Sequence, residues 1–192
     1  MGSSSTWPKS CVDSRRTRGS WSTCTKLDLV PPSIRRYLTT DHERLDALLA
    51  RAIASPPGID EAAFGEFRAG LLRHIAMEEK VLFTDARARG DAPLRSLVGV
   101  LHADHAAIAS MLVPPPTPAL IASLRAVLDE HNPLEEDPGG LYDRCDELSG
   151  GDPASTIARM EAIPPVRASQ YLDEPRIHQH IERMLAARRR AT

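Results

Sequence analysis

The chain has 192 residues and a formal net charge of −2, from 24 Lys+Arg against 26 Asp+Glu, with 42% hydrophobic but only 4% aromatic residues. That length suits one domain with tails and a buried core, and the balanced charge supplies no basic field, so neither nucleic acid nor an anionic membrane is an expected partner. Few aromatics amid many Ala, Leu and Arg favour helices over a β-sandwich, while three cysteines without C-x-x-C spacing argue against a disulfide framework and suit a cytoplasmic protein.

Residues 1–32 read as a disordered, basic, Ser/Thr-rich tail with no apolar stretch of the kind a secretory leader carries. From residue 33 the texture becomes helical. A first helix is predicted from Ser33 to Ala54, with Leu38, His42, Leu45, Leu49 and Ile53 on one stripe, ended by Pro56-Pro57-Gly58. A second runs from Glu61 to Arg87, with Phe64, Phe67, Leu71, His74, Glu78 and Val81 spaced by threes and fours, and Gly90 closes it. Asp91 caps the third, which carries Leu94, Val98, Leu101, His105, Ile108 and Leu112. After Pro114-Pro115-Pro116, Thr117-Pro118 restarts the chain in the favoured cap-then-proline order, and the fourth helix carries Ile121, Leu124, Leu128, His131 and Glu135. Short connections predict an all-α, antiparallel up-down-up-down four-helix bundle over 33–148. A Pro/Gly-containing linker is expected over 149–172 and a C-terminal amphipathic helix over 173–192.

Each of the four stripes contains a histidine. With helix starts near 61, 92 and 118, His74, His105 and His131 each fall about 13 residues in, about 20 Å along the axis, and His42 is placed comparably. His74 and Glu78 are one turn apart on a shared face, as are His131 and Glu135. A carboxylate in a bundle core is costly unless paired or bound to metal. Four imidazoles and two carboxylates at one level therefore predict a nitrogen/oxygen metal site, with no cysteine to make it a thiolate zinc site. Two octahedral ions offer about twelve positions; six such residues, the carboxylates bridging, fill about eight, a bridging oxygen two, and about two stay open. The donor set admits iron, manganese or zinc. The His-x-x-x-Glu order also differs from the Glu-x-x-His of ferritin-like di-iron bundles.

The segments TTDHERLDALL, LLRHIAMEEKVLF, LHADHAAI and HNPLEED resemble, in order, those of the hemerythrin-like HHE cation-binding domain. The resemblance covers about residues 33–148. It implies a four-helix bundle around a non-haem di-iron centre: two iron ions with a bridging oxygen species, held by His42, His74, Glu78, His105, His131 and Glu135, with both glutamates bridging. Proteins of that kind bind oxygen, sense iron or oxygen, or respond to nitric oxide and oxidative stress. A small diatomic, oxygen or nitric oxide, is the expected partner.

This sequence departs from the family pattern at His102, three residues before His105, where some relatives carry a further ligand at four-residue spacing. Pro133 sits between the ligands of the fourth helix, Pro138-Gly139-Gly140 interrupts the stretch before Tyr142, and Glu136 rivals Glu135 as the carboxylate. Glu79 and Glu136 otherwise read as exposed or supporting residues, and His178 with Glu182 as a solvated pair beside the stripe Ile177, Ile181 and Leu185. The readings that follow are a cytoplasmic binding or sensing protein, a di-iron redox enzyme acting on nitric oxide, peroxide or iron–sulfur clusters, or a structural bundle. No nucleophile elbow, phosphate loop or H-E-x-x-H motif competes with them.

Overall fold

A computed structural model describes residues 31–54 and 58–191. The tail expected over 1–32, with Cys11 and Cys24, and the Pro56-Pro57 break lie outside these residues, apart from positions 31 and 32. Among the described residues the fold is all-helical: α1 (Ile34–Ala52), α2 (Glu61–Met77) running through a π-helical turn (Glu78–Leu82) into α3 (Phe83–Arg89), α4 (Ala92–Met111), α5 (Pro118–Glu136), α6 (Leu141–Leu148), α7 (Pro153–Glu161) and α8 (Pro175–Ala191). No helix among them is long and apolar enough to cross a membrane.

The helix starts follow local chemistry. Ser33, Asp60, Asp91 and Thr117 each accept a hydrogen bond from the backbone N–H three residues on, satisfying a donor the first turn leaves open. Pro93 and Pro118 sit in first turns, where no N–H is needed. Pro133 does not end α5: its ring is exposed, and the helix continues to Glu136.

α1 packs on α2 and α4 on α5, with α6 against α1, α4 and α5. The core divides into two apolar clusters, one including Ile34, Leu38, Met77, Leu101 and Leu141, the other Leu45, Phe67, Leu71, Ile108 and Val127. On α1, α2 and α4 a histidine falls between the two: Leu38, His42, Leu45; Leu71, His74, Met77; Leu101, His105, Ile108. On α5, His131 follows Val127 and precedes the Gly139-Gly140 turn to Leu141. A polar layer thus interrupts an otherwise dry core.

Within 149–172, expected as a linker, Pro153–Glu161 form α7. Asp152 caps it and Pro153 occupies its first turn, the same signal that marks the start of α5. Met160 is fully buried among Ile34, Tyr142 and Leu82. Arg73 then holds the Ile163 carbonyl at 3.0 Å, and Arg68 holds that of Ser169 at 2.6 Å while lying over the Tyr171 ring. The C-terminal helix docks through buried Ile181 and half-buried Ile177 and Leu185. His178 instead donates from Nε2 to Asp173 at 2.7 Å on the exposed side.

Met160→Ala removes a fully buried side chain, so a loss of about 2–5 kcal/mol is expected in urea unfolding. A change below about 0.5 kcal/mol would mean that α7 is a surface decoration.

Candidate metal centre

The six residues singled out from the sequence come together. His42, His74, His105, His131, Glu78 and Glu135 are all buried, and both glutamates are 0% exposed. Ligand-capable atoms of His42, His74, Glu78 and Glu135 lie within 4.8 Å of one another, as do those of His105, His131 and Glu135.

The carboxylates span the two histidine pairs. Glu78 places Oε1 3.4 Å from His74 Nε2 and Oε2 3.2 Å from His105 Nε2. Glu135 places Oε2 3.7 Å from His42 Nε2 and Oε1 3.1 Å from His131 Nε2. Each glutamate thus offers one oxygen to each pair. Despite these short separations, Glu78 Oε2, Glu135 Oε1 and His105 Nε2 have no partner in hydrogen-bonding geometry among the described residues. Their lone pairs converge on common points rather than on each other, and orphaned buried polar atoms of this kind cost stability unless something else binds them. A metal ion fits that donor set: imidazole nitrogens and carboxylate oxygens, with Cys145 elsewhere in the core and its thiol pushed by burial up to about 12.

Four further carboxylates fix the imidazoles from behind. His74 Nδ1 donates to Asp41 of α1 at 2.9 Å. His105 Nδ1 donates to Glu79 of the π turn at 3.0 Å, and His131 Nδ1 to Asp104 of α4 at 3.4 Å. His42 Nδ1 donates to Glu136 of α5. Each long helix therefore supplies a carboxylate to the histidine of the next, and α5 closes the circuit back to α1. A carboxylate on Nδ1 turns Nε2 inward as the free donor and raises its basicity.

The π turn begins at Glu78, its extra residue closed by Phe83 N–H donating to the Glu78 carbonyl. It lets consecutive residues serve the site, Glu78 from inside and Glu79 from behind His105. Phe83, just beyond, stacks on the His105 ring with centroids 5.2 Å apart.

Several open positions now have places. Glu135 is the buried carboxylate, and Glu136 reaches His42 instead. His102 faces solvent and donates to Glu79 at 2.8 Å, outside the inward-facing set. Asp41 and Asp104, each immediately before a candidate histidine, are not among the residues singled out from the sequence; the repeated Asp-His pair in TTDHE and HADHA is the signal that points to them. Tyr142 was also missed. Its hydroxyl donates to Glu78 Oε1 at 2.6 Å, with Glu135 Oε2 at 3.1 Å. Gly139, at φ 80°, takes the left-handed turn that brings it there. Gly140 lies so close to the end of α5 that a Cβ would meet the Leu134 and Glu135 carbonyls at 2.8 Å. Arg188 of α8 braces Asp104 through Nε at 2.7 Å and also pairs with Glu130.

The charges are mutually dependent. Burial alone would lower His74, but the Glu78 charge and the Asp41 hydrogen bond raise it to about 10. Against the same opposing burial, Glu135 and Glu78 raise His105 to about 11, and Glu135 with Asp104 raises His131 to about 9. Burial would raise Glu78, yet His74 and His105 hold it well below its usual range. Burial and the Glu78 charge both oppose ionisation of Glu135, but His131 and His105 lower it. Asp41, despite partial burial, is held at about 2 by His74 and Arg44.

A histidine raised by folding binds more protons in the native than in the unfolded state between the two pKa values. The contribution of His74, His105 and His131 to the metal-free fold is therefore complete below pH 6.5 and is lost as pH rises through 9 to 11. Chelator-treated protein should show a melting temperature that falls between pH 7 and 10, read by circular dichroism. A melting temperature that rises over that window would contradict the charge arrangement.

The family described as hemerythrin HHE cation-binding domain matches residues 33–149, from the cap of α1 to the end of α6. No curated protein and no solved structure matches the chain. The family match spans more than half of the chain and takes in every residue of the inward-facing cluster, so the chain belongs to the hemerythrin HHE cation-binding domain family.

Proposed function

We propose that the protein is a cytoplasmic, non-haem di-iron protein that binds oxygen or another diatomic such as nitric oxide, or senses iron, oxidative or nitrosative stress through the same centre. The observation that carries this reading is the way Glu78 and Glu135 each present one oxygen to each histidine pair. Two ions, with the glutamates and one oxygen species bridging them, use all six residues. One ion would leave half of the donors buried and unmatched. Iron follows from the hemerythrin kinship, and the cluster contains no cysteine among the described residues, which agrees with it. When bound, such a pair supplies reversible electron donation to a small ligand.

The chain's own residues set what can enter. Beside the histidines lies a cavity of about 20 Å³, walled by Leu45, Phe67, Leu71, Ile108 and Leu128. It has room for about one water-sized molecule, and apart from the histidines and Glu78 only Asp46 and Asn132 add polar groups to its wall. A surface cleft of about 370 Å³ shares Asp46, Leu128 and Asn132 with it, which supports an approach between α1 and α5. The apolar walls exclude bulk water, and the four outer carboxylates hold the imidazoles in place without rearrangement.

An antiparallel up-down-up-down order of α1, α2, α4 and α5 is part of the proposal. The two apolar clusters are met in opposite order on successive helices: Leu38 before Leu45, Leu71 before Met77, Leu101 before Ile108. That alternation is what antiparallel neighbours around one central layer require.

Protein expressed with ample iron should hold two iron ions per chain by elemental analysis. It should show a visible spectrum that changes with oxygen or nitric oxide and reverses on removal of the gas. Fewer than about one metal per chain would overturn the di-metal reading, and sustained consumption of the gas would point to an enzyme instead. His74→Ala and His131→Ala should each lose iron. Asp41→Asn and Asp104→Asn should weaken it about 10–100-fold, the usual effect of removing a group that orients a metal-bound histidine.

A further inference from the structure

Tyr142 is fully buried, and its hydroxyl oxygen is surrounded by four candidate donors. Glu78 Oε1 is at 2.6 Å, Glu135 Oε2 at 3.1 Å, and His42 Nε2 and His74 Nε2 at 3.4 Å each. A phenol has one proton to donate, so it cannot give a full hydrogen bond to both acceptor-only carboxylates. Adjacent ligand atoms on an octahedral ion with bonds of about 2.1 Å lie about 3 Å apart. Four contacts of 2.6–3.4 Å on one oxygen have the dimensions of the edges that meet at one octahedral vertex.

We propose that Tyr142 is itself a metal ligand, its phenolate oxygen capping the ion held by His42 and His74. This rests on the di-metal reading and makes the two ions unequal. One has His42, His74, Tyr142 and an oxygen from each glutamate. The other has His105, His131 and the remaining glutamate oxygens, with no counterpart to Tyr142 among the described residues. The vacancy for a diatomic ligand then belongs to the ion held by His105 and His131. Coordination replaces the phenol proton, which leaves to solvent, with no change in oxidation state.

The position of Tyr142 is built in. It follows Glu135 by only seven positions, and the turn that returns it depends on Gly139 in the left-handed region and on the missing side chain of Gly140. Its ring packs in the cluster with Ile34, Met77 and Met160, so the hydroxyl has little freedom to leave the site.

The test is the colour of the iron(III)-loaded protein. Wild type and Tyr37→Phe should show a phenolate-to-iron charge-transfer band and resonance-enhanced tyrosine ring vibrations. Tyr142→Phe should keep its helical content and lose both signals. Wild type that holds two irons without these signals, or Tyr142→Phe that keeps them, overturns the assignment and leaves the di-metal reading standing. Wild type that holds no metal overturns both. Titration of metal-free wild type with redox-inert zinc(II) decides the matter without a variant. The ultraviolet difference spectrum should show ionisation of a single tyrosine per chain at neutral pH, and its absence despite zinc uptake overturns the assignment.

Discussion

Two carboxylates with no exposure to water, Glu78 and Glu135, are the constraint around which this bundle is organised. Charge at that depth is tolerable only with opposite charge in close contact. The nearest cationic groups are imidazoles, and each imidazole is aimed by a carboxylate from a neighbouring helix. The result is a closed circuit in which α1, α2 with its π turn, α4 and α5 are each both holder and held. Loss of one outer carboxylate frees a ring, and loss of one ring leaves an inner carboxylate unbalanced. The two apolar clusters supply cohesion, but the polar layer fixes which helix faces which.

That arrangement also explains why a metal suits the site better than protons do. Three imidazoles raised to about 9–11 can balance the glutamates in the metal-free protein, yet inner oxygens still lack directed hydrogen-bond partners. Metal ions satisfy the same lone pairs with bonds that converge, as this geometry requires. The appended helix α8 takes part through Arg188, which ties Asp104 and hence His131 to a segment beyond the family domain.

The sequence revealed the histidine layer because its signal is local and repeated: a histidine in each apolar stripe, and His-x-x-x-Glu twice at one-turn spacing. The cap residues Asp91 and Thr117 likewise marked helix starts through short-range chemistry. The carboxylate circuit was less legible, since which Asp or Glu reaches which ring depends on the rotation of neighbouring helices. Glu136, next to the buried glutamate, and Asp104, next to His105, look like solvent-facing residues in a linear pattern. The π turn at Glu78 leaves only a faint trace, the three consecutive buried residues Val81, Leu82 and Phe83. Tyr142 was hidden because a Pro-Gly-Gly turn reads as a break, and the direction in which the chain returns from it is a tertiary property. The short helix α7 was overlooked although Asp152-Pro153 carries the same start signal as Thr117-Pro118.

A circuit that presents donors for two metal ions within one layer has a distinct signature in the X-ray absorption fine structure of the iron-loaded chain. Two bridged ions give an iron–iron vector of about 3–4 Å together with imidazole scattering from about two histidines per iron. A spectrum with imidazole scattering but no iron–iron vector, or with iron surrounded by oxygen alone, would contradict it.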